Sequence, residues 1–484
     1  MACTTILVGK KASFDGSTII ARNDDGGFDT KKVVVVKKDE EQKKYKCVIS
    51  HLEIELPENP MAYTAAPSVD LKAGIWAACG INEANVAMTA TETITSNPRV
   101  LGADPYVVYK KVTPENPTEV VGGIGEEDIV VLVLPYIHSA KEGVMRLGEL
   151  LEKYGTYEPN GIAFSDENEI WWLETIGGHH WIARRVPDEK VVIMPNQFGL
   201  DDFDLDDALT NGKENLCSKD LKEFIENNHL DLGYGKFIPR VAFGSRSDAD
   251  HIYNTPRAWY MARYLNPRKY KWDGENADFT PESDDIPWSL VPENKVTIED
   301  VKYLLASHYQ GTVYDPYSKY LEKGKYRTIG VPNTDICGIL QIRGYMSDKL
   351  KGVEWISLGG GAFTCCFPQY VHVSKLPDAL STTPLTVSTN HMYWQSRLIA
   401  ALVDAHYFEN VVFSERYQNT VFNQSRAYLT EYDKKYLENK NMETLEEANE
   451  KIIQMVMKES NNTLVKVLNN SSEHMKTRFH RSDN

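Results

Sequence analysis

Positive charge is in short supply in this sequence. Its 53 Lys and Arg stand against 69 Asp and Glu, a formal net charge of -16. A nucleic-acid binder needs a cationic excess to displace counterions from phosphates, so that class is set aside. An anionic membrane surface would repel the chain for the same reason. Long apolar runs are missing too. The most hydrophobic stretch, Ile129 to Leu134, stops at Pro135, far short of the ~20 residues that cross a bilayer. At the start, Ile6-Leu7-Val8 is too brief for a secretory signal and precedes Lys10 and Lys11 instead of following them. Cysteine is sparse and odd in number, seven in all, with no Cys-x-x-Cys pair. That spacing offers neither a zinc site nor a disulfide framework and suits a reducing, cytoplasmic setting. Gly359-Gly360-Gly361 lacks the lysine of a phosphate loop and reads as a tight turn. The acids between Asp201 and Asp207 lack the glycine and spacing of a calcium loop, and read as the start of a solvated helix.

What remains is an ordinary large globular composition, 42% hydrophobic and 25% charged over 484 residues. Short β-branched runs predict strands at Thr4 to Val8, Thr18 to Ala21, Val33 to Val36, Cys47 to Ile49, Ala73 to Cys79 and Val86 to Thr89. Asp15-Gly16 is a hairpin turn, and Gly80-Ile81-Asn82-Glu83 predicts another. Further strands are expected at Gly161 to Phe164, Ile170 to Glu174, Trp181 to Arg185, Val191 to Met194, Ile336 to Ile342 and Val353 to Leu358. Val144, Leu147, Leu150 and Leu151 have helical spacing within Ser139 to Lys153. Gly122-Gly123-Ile124-Gly125 is not followed by a convincing helix start. The C-terminal ninety residues read as helical, with Thr444 and Glu447 as a capping box ahead of the apolar face Leu445, Ala448, Ile452, Met455 and Val456.

The chemistry gathers at the N-terminus. Met1-Ala2 reads as a removable leader, which would give Cys3 a free α-amine beside its own thiol. An α-amine has a reference pKa of ~7.7–8.0 and can accept the thiol proton near neutral pH. One residue then supplies nucleophile and base. The hairpin at Asp15-Gly16 returns Arg22-Asn23-Asp24-Asp25 towards that end. A guanidinium lowers a neighbouring thiol's pKa, and a carboxylate can hold the α-amine. Strand register leaves open which aspartate faces Cys3. His179-His180 sits in a strand pattern where neighbours face opposite sides, so at least one of the two is expected outside any site.

The segments Cys3-Thr4-Thr5-Ile6, Asp15-Gly16-Ser17-Thr18 and Ala21-Arg22-Asn23-Asp24-Asp25 resemble the dipeptidase A family of N-terminal-nucleophile (Ntn) cysteine hydrolases, relatives of bile-salt hydrolases and penicillin V acylases. The likeness runs on through Thr91-Glu92-Thr93, Gly122 to Asp128, Trp171-Trp172-Leu173-Glu174-Thr175, Met194-Pro195-Asn196-Gln197, Asn254-Thr255-Pro256-Arg257-Ala258 and Tyr314-Asp315-Pro316-Tyr317.

The resemblance implies an α+β fold, a four-layer αββα sandwich with helical insertions and a helical C-terminal tail. It divides the chain into a leader at 1–2, a hydrolase core at 3–405 with an insertion at about 201–325, and a helical extension at 406–484. By position it implies Cys3 as nucleophile, flanked by Arg22 and Asp25, with Asn196 as oxyanion donor and Arg257 as support. Substrate contacts are expected at Glu92 and Asn82. Where the bile-salt hydrolases carry a second oxyanion asparagine, this chain has Glu92. Read as ionised, Glu92 cannot donate there; either a backbone N–H serves, or Glu92 does something else, such as binding a dipeptide's free amine. The implied activity is hydrolysis of free dipeptides through a Cys3 thioester, with no metal or organic cofactor and an assembly of identical chains. Hydrolysis of N-acyl amides, and a non-catalytic secernin-like role, are the alternatives.

Overall fold

In the computed structural model, residues 3–233 and 235–479 are described, so the leader Met1-Ala2 lies outside the described residues. Two seven-stranded sheets carry the fold. The first runs Ser289–Leu290, Val191–Met194, Thr4–Val8, Thr18–Asp25, Thr334–Ile342, Gly352–Leu358 and Phe367–Tyr370, antiparallel throughout. The second runs Asn215–Cys217, His180–Arg185, Ile170–Ile176, Asn160–Ser165, Ala87–Thr89 and Cys79–Ile81. Glu92–Thr93 adds to Asn160–Ser165 beside this path.

Thr4–Val8 and Thr18–Asp25 lie side by side at the centre of the first sheet, joined by the Asp15-Gly16 turn. Gly16 takes the left-handed φ of 84° that the turn requires, and Asp15 Oδ1 accepts from Ser17 N at 3.1 Å. Every residue of both strands is buried, which explains their lack of polar–apolar alternation. Burial extends to Arg22, Asn23, Asp24 and Asp25. Four polar residues in a covered strand are destabilising unless each finds partners, which marks this strand end for function.

The sheets meet through side chains. Cys79 Sγ donates to Glu354 Oε1 at 3.3 Å, and Thr5 Oγ1 to Glu92 Oε2 at 2.8 Å. At Gly338, which pairs with Arg22, an added Cβ would come within 2.5 Å of Cys79 Sγ. The close approach beside Arg22 therefore requires glycine. The helix Ala140–Tyr154, capped by Ser139, buries its predicted face of Val144, Leu147, Leu150 and Leu151 on the second sheet. The long helices Tyr407–Asn439 and Met442–Glu473 pack by the other sheet's edge. There Asn449 accepts from Tyr370 N at 2.8 Å and donates to Tyr370 O at 2.9 Å, occupying an edge strand that would otherwise be open.

Several expectations need correction. The strand near Cys47 is Lys44–Lys46, paired with Glu53–Glu55, and residues 48–50 form a turn between them. Only Cys79 of the expected Ala73 to Cys79 strand is extended in a ladder, because Gly74 and Trp76 adopt φ of 113° and 52°. The C-terminal helix starts earlier than its supposed capping box. Asn441 caps it, and Thr444 bonds Asn439 instead. The expected apolar face of that helix is buried throughout. Gly125 does precede a helix, Glu126–Val133, whose acidic first turn favours the positive end of the helix dipole. The acids at 201–207 do start a helix, Leu205–Leu209, with Asp204 as its cap, and the three glycines 359–361 form a turn with positive φ throughout. Among the described residues no helix is long and apolar enough to cross a membrane.

Candidate active site

Register decides what surrounds Cys3. Thr4 pairs with Asn23 and Thr5 with Arg22, so Cys3, Thr5, Arg22 and Asp24 share one face of the sheet. On that face Arg22 Nη2 donates to Cys3 Sγ at 2.8 Å and to Glu126 Oε1 at 2.6 Å, and lies 3.2 Å from Asp24 Oδ1. Lys31 Nζ holds the other oxygen of Asp24 at 2.9 Å and donates to Trp76 O at 2.8 Å. The thiol, Asp24 and Glu126 present ligand atoms all within 4.8 Å of one another, a spacing suited to a metal ion. The guanidinium of Arg22 touches all three, so a positive charge already stands among them.

The electrostatics are finely opposed. Cys3 is fully buried, and burial pushes its thiol well above the ordinary range; Arg22 pulls it down, while Glu92, Glu126 and Asp24 push it further up. Burial also raises Glu126, to about 7, against the pull of Arg22. For Asp24 burial again acts upwards, but Lys31 and Arg22 outweigh it and the carboxyl is lowered. Asp24 is thus a committed anion, whereas Glu126 can hold a proton near neutrality.

Arg257, on the helix Thr255–Leu265, grips the other side of the nucleophile. Its Nη1 donates to Cys3 O and, at 2.6 Å, to Thr4 Oγ1. Its Nη2 donates to Asn196 Oδ1 at 2.7 Å and Asn254 Oδ1 at 2.8 Å, and Nε donates to Tyr253 O. A guanidinium can only donate, so Asn196 must present its oxygen to Arg257 and turn its NH2 away. Asn196 Nδ2 then donates to Thr93 O at 2.9 Å, and Asn254 Nδ2 steadies Asn196 O at 3.1 Å. Burial lowers Arg257 to about 10, with Arg327 adding to the fall, which leaves it charged at neutral pH.

Cys3, Arg22, Asn196, Arg257 and Glu92 are therefore brought together. Two expected residues are not. Asp25 points to the opposite face from the thiol, where Arg327 Nη2 and Thr334 Oγ1 donate to its two oxygens. Asp24 takes the place by the thiol, because alternation along the strand allows only one of the pair on that face. Asn82 is consumed by its own turn. Its Nδ2 donates to Leu134 O at 2.8 Å and Ile137 O at 2.7 Å, and its Oδ1 accepts from Ala84 N and Val86 N, both at 3.0 Å. Asn82→Ala is expected to lower stability by about 2–3 kcal/mol, since it strands four backbone groups, three of them buried, and to leave kcat and KM as they are. Urea unfolding and steady-state kinetics on the same preparation check both halves.

Both histidines of the 179–180 pair bind one partner. His179 Nδ1 and His180 Nδ1 meet Asp104 at 2.9 and 2.7 Å. His179 precedes the strand that starts at His180, so alternation does not separate them. Glu126, Lys31 and Asn254 were not singled out from the sequence. For Glu126 a signal existed, three consecutive acids directly after a glycine, which is a helix start.

A family model described as Peptidase family C69 matches residues 2–460. A protein named "Dipeptidase" from Bifidobacterium longum is 54% identical over 427 residues, covering 86% of this chain and 80% of the relative. A "Probable dipeptidase A" from Streptococcus pyogenes serotype M3 is 48% identical over the whole of both chains. A "Probable dipeptidase B" from Lactococcus lactis subsp. lactis is 43% identical over 100% of this chain and 98% of its own.

Proposed function

The chain belongs to peptidase family C69, and on that footing we propose that it is a cysteine dipeptidase whose nucleophile is the thiol of Cys3. The carrying observation is the Arg22 guanidinium 2.8 Å from a buried Cys3 Sγ whose own carbonyl is gripped by Arg257. Burial alone keeps this thiol protonated. Activation therefore needs an acceptor at hand, which the α-amine of Cys3 supplies once Met1-Ala2 is removed.

The thiolate attacks the scissile carbonyl, and the carbonyl electron pair moves onto oxygen. The Asn196 amide donates to that oxygen. The α-ammonium of Cys3 then protonates the leaving amine, and water deprotonated by the same amine releases the thioester. The facing sheets with helices outside them support the four-layer αββα reading, with residues 3–405 as core, an insertion at 201–325 and the helical extension 406–484 packed against it. A cytoplasmic location and a homo-oligomer complete the proposal.

Turnover of unblocked dipeptides against their N-acylated forms tests the substrate class. The free dipeptides are expected to be the better substrates, and a preference for the acylated ones would favour an N-acyl amidase. Asn196→Ala is expected to lower kcat by ~10²–10³ with little change in KM, as loss of an oxyanion donor does. A fall in KM-dependent rates alone, with kcat intact, would assign Asn196 to substrate binding.

A further inference from the structure

Glu92 is the least ordinary group near the thiol. It lies on Glu92–Thr93 of the second sheet and is fully buried. Its Oε2 accepts from Thr5 Oγ1 at 2.8 Å, and Thr5 shares the face of Cys3. Among the described residues its Oε1 is buried without a hydrogen-bond partner. The carbonyl of the next residue, Thr93, accepts from the Asn196 amide, so one two-residue strand holds Glu92 and the first oxyanion donor side by side. A buried carboxyl oxygen lacking a partner is destabilising, which an arriving substrate atom can offset.

We propose that Glu92, in its carboxylic-acid form, is the second oxyanion donor, giving the hydrogen bond from Oε1–H to the oxygen of the tetrahedral intermediate on Cys3. The acid keeps its proton throughout; only a hydrogen bond forms. An ionised carboxylate in the same place would repel the oxyanion. Burial raises Glu92 to about 7, against the pull of Arg257 and Arg22, so the acid form is populated below neutrality. A carboxylic acid kept neutral by an apolar site is a competent donor to developing negative charge. The charged and titratable groups that bear on Glu92 are Cys3 on the first strand, Arg22 and Asp25 on the second, and Arg257 on its helix, with Thr5 as hydrogen-bond donor. Glu174, the other partner of Gly161 in the register, stands on the same sheet face and is also raised by burial to about 7. This reading replaces the expectation that Glu92 is ionised and receives the substrate amine.

The inference rests on the Cys3 hydrolase reading and separates from it in the following test. The α-amine of Cys3 makes the rate rise with pH as it loses its proton, and Glu92 makes it fall as pH passes through about 7. For wild type, Glu92→Gln and Glu92→Ala, kcat and KM are measured on an unblocked dipeptide from pH 5.5 to 9. Glutamine donates at every pH. Glu92→Gln is therefore expected to stay within tenfold of wild type at pH 6, to lose the alkaline fall and to exceed wild type at pH 8.5. Glu92→Ala is expected to lose ~10²–10³ in kcat. A Glu92→Gln enzyme that keeps the alkaline fall and shows KM raised tenfold would overturn the proposal and restore the amine-receptor role. A wild type inactive on dipeptides would sink the functional reading but not end the test. A short peptide aldehyde adds to the Cys3 thiol with the S–C bond formed and the thiol proton passed to oxygen, placing a hydroxyl oxygen that can accept the same hydrogen bond at the oxyanion's position without turnover. Calorimetric affinity for it at pH 6 should fall at least tenfold in Glu92→Ala and be held in Glu92→Gln. Equal affinity in all three proteins would overturn the proposal.

Discussion

Cys3→Ala is expected to abolish dipeptide hydrolysis, with kcat/KM falling by at least ~10⁴, because nucleophile removal leaves only binding and oxyanion stabilisation. The fold should tolerate it. Arg22 keeps Glu126 at 2.6 Å and Asp24 at 3.2 Å when the thiol is gone, so no buried charge is left alone. Cys3→Ser is expected to fall nearly as far, since a guanidinium that favours a thiolate cannot ionise a hydroxyl at neutral pH. Hydrolysis assays beside urea unfolding separate the two effects. A Cys3→Ala protein that is folded and still turns over dipeptides would remove the thiol from the reaction.

Arg257→Lys is expected to be almost as damaging, by a different route. Arg257 is fully buried and makes five donor contacts from three nitrogens, two of them to the nucleophile's own residue and its neighbour Thr4. A lysine ammonium offers three donors on a flexible stem and cannot span Cys3 O, Asn196 Oδ1 and Tyr253 O together. Asn196 then loses the contact that fixes its amide, so kcat should drop by ~10²–10³. Stability should fall by about 1–3 kcal/mol, since lysine leaves some of these neutral buried acceptors without a donor. If lysine restored full activity, the fork geometry would have no part in aiming Asn196.

How much of this was legible in the sequence depended on the range of the interaction. Cys3 and Arg22 were found from a short hairpin, where an Asp-Gly turn leaves little freedom in what meets. The choice between Asp24 and Asp25 was not, because it needs the register of the following pair, and one residue of slip exchanges faces. Helix Ala140–Tyr154 is legible in its periodicity, whereas Glu126–Val133 shows a start in its three acids but no polar face, because those acids are buried along with its apolar residues. Glu126 and Lys31 could not be found as neighbours of the thiol from composition, since each arrives from a separate segment. For Glu92 the sequence identifies the position but not the charge state, which burial raises towards neutrality, to about 7. Ionisation there is decided by burial between the sheets, which no local pattern carries.

The most direct test of the N-terminal-nucleophile account is the intact mass and N-terminal sequence of wild-type protein taken from a preparation shown to hydrolyse dipeptides, with Cys3→Ala purified in parallel. The account predicts an active wild type that begins at Cys3 and an inactive mutant that retains Ala2. An active wild type that still carries Ala2 would contradict it, for the α-amine of Cys3 could not then be the base.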